Sequence, residues 1–303
     1  MRYDPIDPQL FVTNRDRFRK HLAPRALAVF NANDVMPSNA DGTVKFIQNQ
    51  DLFHLSGVDQ EETILVIFPD AYLPEHREIL FVTETNEHIA RWEGAKLDKA
   101  EATEVSGVVN VQWLSDFEKV FKELMVQAQE VYLNANEHLR ASLEVETRDD
   151  RFRKWCQQHF PLHHYRRAAP IMHEIRSVKQ PQEIDIMQKA CDINAQAFQR
   201  VLRFLKPGVK EYELEAEFMH EYLRHGSPGF SYEPIVASGK NACVLHYLEN
   251  EDTCTDGDLV LLDCGDWYAN YASDVTRCFP VNGKFSERQK ELYNAVLRVQ
   301  KAS

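Results

Sequence analysis

The 303 residues contain no apolar run near the length of a membrane span; the longest, such as Thr63–Phe68 and Leu259–Leu262, fall far short of the roughly 20 residues a bilayer needs. Residues Met1–Pro5 do not open the apolar stretch of a signal peptide. Cysteine is sparse: Cys156, Cys191, Cys243, Cys254, Cys264 and Cys278 lie in the second half of the chain, and none forms a C-x-x-C pair. A dense disulfide framework is therefore excluded, and buried or semi-buried free thiols in a reducing, cytoplasmic setting are expected. Positive charge is also in deficit, with 35 Lys and Arg against 47 Asp and Glu, a formal net charge of −12. That balance speaks against a nucleic-acid partner, because phosphate backbones are held by basic surfaces. There is no G-x-G-x-x-G after a strand, no G-x-x-x-x-G-K-[ST] and no G-x-S-x-G. Nucleotide-binding and serine-hydrolase chemistry thus have no support in the sequence.

What is present is an ordinary globular composition, 44% hydrophobic and 27% charged, with enough chain for two domains. The first half alternates strand and helix patterns and reads as α/β. Strands are expected at Ala26–Phe30, Glu62–Phe68, Glu78–Val82 and Val131–Asn134. Helices are expected at Asn14–Leu22, capped by Asn14, and at Ser115–Gln129. The run His163-His164-Tyr165-Arg166-Arg167 is basic and polar, and its histidines, like His173, match no zinc spacing. Lys179-Gln180-Pro181 then precedes a long amphipathic helix with Ile184, Met187, Cys191, Ala195, Phe198 and Leu202 on one face. We place the domain boundary near residue 174. A second helix spans about Glu211–Arg224, followed by strands at Tyr232–Ala237, Leu259–Asp263 and Tyr271–Val281, and by a helix capped by Ser286. That helix has no closing cap before Ser303.

The segment from Asp258 to Val281 carries the chemistry. If Tyr268-Ala269 is the tip of a hairpin, Asp263 and Asp274 stand directly opposite each other, with Cβ atoms roughly 4.5–5.5 Å apart. Like charges so placed repel, so a positive group or a shared proton is needed. Three readings remain open: divalent cations on hard oxygen ligands, a proton-sharing acid pair, or a different register with both aspartates solvated. Thr276, two residues beyond Asp274 and on the same strand face, could orient a ligand through its hydroxyl. A second constellation runs from Ser238-Gly239 to Leu245-His246-Tyr247. His246 could hold a substrate or stabilise an oxyanion there; the plainer alternative is a partly buried histidine satisfied by backbone.

These residues resemble a known family. Asp256-Gly257-Asp258-Leu259-Val260-Leu261-Leu262-Asp263-Cys264-Gly265, followed by Tyr271-Ala272-Ser273-Asp274-Val275-Thr276-Arg277 and Phe279-Pro280-Val281-Asn282-Gly283-Lys284-Phe285, is similar to the metal-binding hairpin of the aminopeptidase P/prolidase family. Ile235–Gly239, Leu245–Tyr247 and the linker Arg176–Lys179 with Glu183-Ile184 match it too. Gln48–Gly57 and Arg91-Trp92-Glu93-Gly94 resemble the N-terminal domain of the aminopeptidase P type.

The resemblance implies an α/β N-terminal domain over residues 1–174 and, over 175–303, the first half of an α+β pita-bread catalytic domain. It implies a metal-dependent Xaa-Pro aminopeptidase that removes an N-terminal residue linked to proline. Two divalent ions, commonly Mn2+, would activate a hydroxide; Asp263 would bind one ion and Asp274 both. His246 would contact substrate at the scissile bond, and Trp92 would close the substrate pocket, in this family often that of a neighbouring subunit, which implies a homo-oligomer. Of the family's five metal ligands only these two aspartates occur, so the 303 residues alone are expected to be inactive. Prolidase activity on Xaa-Pro dipeptides and a non-catalytic peptide-binding role are the alternatives; retention of the repulsive aspartate pair argues against the latter.

Overall fold

The computed structural model describes residues 2–141 and 144–303. The chain divides into two compact units, Pro5–Gln182 and Glu183–Ser303, the latter joined by the residues up to Asp4.

In the first unit the elements run α1 (Gln9–Arg19), β1 (Ala26–Asn31), β2 (Pro37–Asn39), β3 (Gly42–Thr43), α2 (Gln50–Ser56), β4 (Ile64–Ile67) and β5 (Glu78–Val82), then α3 (Glu87–Glu93), α4 (Lys99–Ser106), β6 (Val111–Trp113), α5 (Phe117–Met125), β7 (Glu130–Leu133), α6 (Arg148–His159), β8 (His164–Arg167) and α7 (Ala169–Ser177). Six strands form one mixed sheet in the order β6-β5-β4-β1-β7-β8. β1 is central and buried at every position, so its alternate side chains feed two cores. Ala26, Ala28 and Phe30 pack with Leu52 and Leu55 of α2, Ala102 of α4 and Met172 and Ile175 of α7. Leu27 and Val29 pack with Phe121 and Leu124 of α5 and Cys156 of α6. Because Met172 and Ile175 belong to this core, α7 stays with the first unit, and the division falls at Gln182 rather than near 174.

Other sequence expectations need correcting. α1 begins at Gln9, so Asn14 is no cap; it is buried inside the helix and its Nδ2 donates to His54 O at 3.0 Å. The polar run 164–167 is the edge strand β8, where one side faces water and polar residues discourage further pairing. Cys191 and Cys243 are exposed, whereas Cys156, Cys254 and Cys264 are buried; all six thiols are free. Among the described residues no helix is long and apolar enough to cross a membrane.

At the start of α6, Thr147 and Asp150 form a capping box. The neighbouring Asp149 accepts from Asn31 Nδ2 at 2.8 Å. Burial pushes its carboxyl up to about 7; the Asn31 bond opposes this and the nearby Asp51 adds to it. A carboxyl raised in the fold contributes stability below its unfolded value of 3.8, and that contribution is lost as pH rises through about 7. Asp149→Asn should therefore flatten the fall in melting temperature between these two pH values, read by circular dichroism; an unchanged slope would contradict the assignment.

The second unit begins with α8 (Pro181–Phe204), whose first two residues precede the division, and α9 (Glu211–Arg224). There follow β9 (Ile235–Ser238), β10 (Leu259–Cys264), β11 (Trp267–Tyr268), β12 (Tyr271–Ala272), β13 (Val275–Pro280) and α10 (Glu287–Ala302). β13, β10 and β9 make an antiparallel three-stranded sheet, and β11 and β12 extend the hairpin as a two-stranded ribbon. The face of α8 turned to the core carries Ala190, Ile193, Asn194, Ala197, Phe198 and Val201. Of the stripe expected from the sequence only Phe198 is buried; Ile184, Cys191, Ala195 and Leu202 are exposed. One contact on the buried face is polar: Asn194 Nδ2 donates to Cys264 O at 3.0 Å, and Asn194 Oδ1 accepts from Tyr222 of α9 at 2.7 Å. That face is itself apolar through Ala190, Ile193, Ala197, Phe198 and Val201, and the amide, bonded on both sides, sits within it at little cost. It ties α8 and α9 to the end of β10, one residue beyond Asp263.

Candidate metal centre

β10 alternates, with Val260, Leu262 and Cys264 buried and Leu259, Leu261 and Asp263 half-buried. The even-numbered residues therefore face the helices, and Asp263 sits on the other face. The return strand does not pair as the sequence suggested. Asp263 stands opposite Thr276 and Cys264 opposite Val275, while Trp267 pairs with Ala272 and Tyr268 with Tyr271. The tip is thus Ala269-Asn270, one position later than Tyr268-Ala269. Both tip residues have positive φ, 49° and 64°, the geometry of a type I′ turn, which Asn tolerates well.

The two-residue change of register makes Asp263 and Asp274 diagonal rather than direct neighbours. They still converge. The hydroxyl of Tyr232, just before β9, lies 2.7 Å from Asp263 Oδ1 and 3.0 Å from Asp274 Oδ1. One hydroxyl carries one proton, so it cannot fully satisfy two carboxylates at once. Burial, followed by the bonds to Asp263 and Asp274, holds the Tyr232 phenol well above its ordinary range. Thr276 is exposed and cross-strand to Asp263.

Tyr232 reaches this position because Gly265 lets its segment press against the hairpin. A β-carbon at 265 would overlap Ser273 O and Ser231 Oγ and come within 2.7 Å of Tyr232 Cε1. Ser231 in turn donates from its N to Gly265 O at 2.9 Å and from its hydroxyl to Ser273 O at 3.0 Å. Next along the chain, Asp266 is fully buried, and among the described residues neither carboxylate oxygen has a hydrogen-bond partner of normal geometry. Nearby, the Ser227 hydroxyl has Gly229 O and Trp267 O within hydrogen-bond reach for its one proton, and the Trp267 amide donates to Gly229 O. Burial pushes the Asp266 carboxyl up to about 6.

His246 is exposed, on the turn after the short 3-10 helix Gly239–Cys243 and immediately before the buried Tyr247. Trp92, on α3 of the first unit, is 83% exposed. No hydrogen bond joins His246 to either carboxylate among the described residues. Among them, too, no group of three or more His, Cys, Asp or Glu side chains is gathered as a metal cage. Two hard carboxylate oxygens suit a divalent cation such as Mn2+ or Mg2+, but supply only part of the usual coordination number. The residues present fit part of a metal centre. Tyr232 and Gly265 were not singled out from the sequence for these roles, since no local spacing ties residue 232 to 263 and 274.

Comparison with known proteins agrees with this architecture. Residues 11–132 match the family model described as aminopeptidase P, N-terminal domain, and residues 185–303 match metallopeptidase family M24. The chain is 34% identical over 296 residues to the Xaa-Pro aminopeptidase of Escherichia coli K12, covering 96% of this chain and 66% of that protein. For the Xaa-Pro aminopeptidase of Haemophilus influenzae the values are 31% identity, 96% and 65%. The chain thus spans just under two thirds of the length of these relatives. Among solved structures, a putative aminopeptidase P from Bacillus anthracis superposes with a TM-score of 0.90 at 30% identity, covering 98% of this chain and 70% of the other. Zn-substituted E. coli aminopeptidase P in complex with product gives 0.83 at 33% identity, covering 97% and 67%. The two family models match the two halves of the chain in order, and the M24 match contains the hairpin that brings Asp263 and Asp274 to one hydroxyl: the chain belongs to the aminopeptidase P family of M24 metallopeptidases.

Proposed function

We propose that this chain supplies the N-terminal domain and the aspartate hairpin of a metal-dependent Xaa-Pro aminopeptidase, which removes the first residue of a peptide whose second residue is proline. The observation that carries the proposal is the convergence of Asp263 and Asp274 on the Tyr232 hydroxyl. Two carboxylates held this close need a compensating positive charge, and a divalent ion provides it. Asp263 and Asp274 would hold two such ions, with Mn2+ the first candidate, and Asp274 would be shared between them. When bound, the ions supply Lewis-acid polarisation and a nucleophile at neutral pH.

The other roles belong to the chain's own side chains. His246 is exposed and free to donate to the oxygen of the scissile carbonyl as charge develops there. Thr276, across the ladder from Asp263, would orient a bound ligand through its hydroxyl. Trp92 offers an exposed indole to cover substrate bound by a neighbouring copy, so a homo-oligomer is part of the proposal.

An assay on an Xaa-Pro tripeptide with added Mn2+ tests this reading. A gene product in which further ligands complete the pair is expected to release the first residue, and Asp274→Ala to lower kcat/KM by about 10³-fold or more, the several kcal/mol of a lost metal contribution. Undiminished turnover in that variant would sink the metal role. Residues 1–303 alone, with two gathered carboxylates, are expected to be inactive, and clear turnover by them would refute that expectation. Cleavage confined to Xaa-Pro dipeptides would favour a prolidase.

A further inference from the structure

Behind the His246 segment lies a buried carboxylate that the metal centre does not use. Glu211, the first residue of α9, is fully buried. Its Oε1 accepts from Ser238 N at 2.6 Å, Ser238 Oγ at 2.7 Å and Asn241 Nδ2 at 3.4 Å. Its Oε2 accepts from Tyr247 Oη at 2.7 Å and Asp252 N at 2.9 Å. These donors are not scattered. Ser238 ends β9 where the loop begins, Asn241 lies in its 3-10 turn, Tyr247 follows His246, and Asp252 is where the loop returns to α9. The return is closed by Glu211 N donating to Asp252 O at 3.0 Å, and Asn241 Nδ2 also donates to Asp252 Oδ2 at 2.8 Å.

Between these anchors, Cys243 to His246 are exposed. A loop whose middle is solvated takes its conformation from its fixed points. Burying a carboxylate is costly unless donors surround it, and charge-assisted bonds are the stronger kind. This set spends that charge on one loop. The Tyr247 phenol, buried and bonded to Glu211, is pushed up to about 12, so it remains a donor at neutral pH.

We infer that Glu211 is the positioning residue for His246, holding the 238–252 loop through Ser238, Asn241, Tyr247 and Asp252 so that the imidazole is presented from a fixed backbone. The functional weight of this inference rests on the aminopeptidase reading of His246; the positioning itself does not.

The test uses the 303-residue protein and needs no catalysis. Amide hydrogen exchange and the His246 imidazole NMR signals are compared for the native chain, Glu211→Gln and Tyr247→Phe. Glu211→Gln turns an acceptor into an amide that meets donors; Tyr247→Phe removes only the anchor beside His246 and keeps the ring, so it serves if the first variant does not fold. In Tyr247→Phe, exchange at Val244, Glu251 and Asp252 is expected to rise about tenfold, with smaller changes in α8 and β10, and the His246 signals to move toward those of an unstructured histidine. Loop exchange and His246 signals unchanged in the folded variants would overturn the inference. So would a uniform rise across the whole second unit, because Glu211 would then serve overall stability alone. Failure of the peptidase assay would leave these readings untouched, so the two ideas fail separately.

Discussion

Gly265→Ala should destabilise the second unit by about 3 kcal/mol, the upper end of what an overpacked methyl group costs, and lower its melting temperature by about 10 °C. The reason is space rather than backbone conformation. Gly265 has no left-handed φ, but a β-carbon there would overlap Ser273 O and Ser231 Oγ and press on the Tyr232 ring. Ser273 O is backbone, and Ser231 Oγ is held by its own hydrogen bond to it, so neither swings aside like a free surface side chain. Relief requires the 231–232 segment to lift away, which takes the Tyr232 hydroxyl off Asp263 and Asp274. Gly257 provides the contrast. Its φ is +88°, and nothing lies within 4 Å of a β-carbon built there. Gly257→Ala should therefore cost only the left-handed penalty of about 1–2 kcal/mol and leave Tyr232 in place. Thermal melts of both variants, with near-ultraviolet circular dichroism following the tyrosine environment, separate the two mechanisms. Equal losses, or an unperturbed Gly265→Ala, would contradict the packing described here.

Much of this arrangement is legible in local sequence, and the parts that are not have identifiable physical causes. β5 and α9 fall at the expected residues, because their periodicity and punctuation are local. The aspartate hairpin shows how a wrong register can leave the facing of its side chains intact. The tip lies one position later than expected, which shifts the register by two residues. A shift of two preserves which face each side chain occupies, so Asp263 and Asp274 remain on one side and meet diagonally instead of directly. The buried face of α8 includes a polar residue, Asn194, that local periodicity does not mark; its partners Cys264 and Tyr222 lie at sequence separations of 70 and 28. Tyr232 and Glu211 were invisible for the same reason. Their partners lie 27 to 42 residues away, and nothing in the local pattern marks them. The family resemblance, by contrast, rests on runs of consecutive residues, and most of those in the second unit form β10, its return strand and the His246 loop.

The second large effect concerns the carboxylate pair itself. Half-buried Asp263 and exposed Asp274 share one hydroxyl proton, and a hard divalent cation between them would relieve their repulsion. A cation held there by two carboxylates should bind even where the donor set is partial, though less tightly than in a closed cage. Paramagnetic Mn2+ makes the location directly observable, because it broadens the NMR signals of nearby nuclei. Titrated into the 303-residue protein, Mn2+ should first erase the amide signals of Asp263, Cys264, Asp274 and Val275 and the ring signals of Tyr232. In Asp274→Ala the same additions should leave the Asp263 and Tyr232 signals intact. Broadening centred on another acidic group, such as Asp149, or a pattern unchanged by Asp274→Ala, would contradict the assignment of these two aspartates as the metal pair.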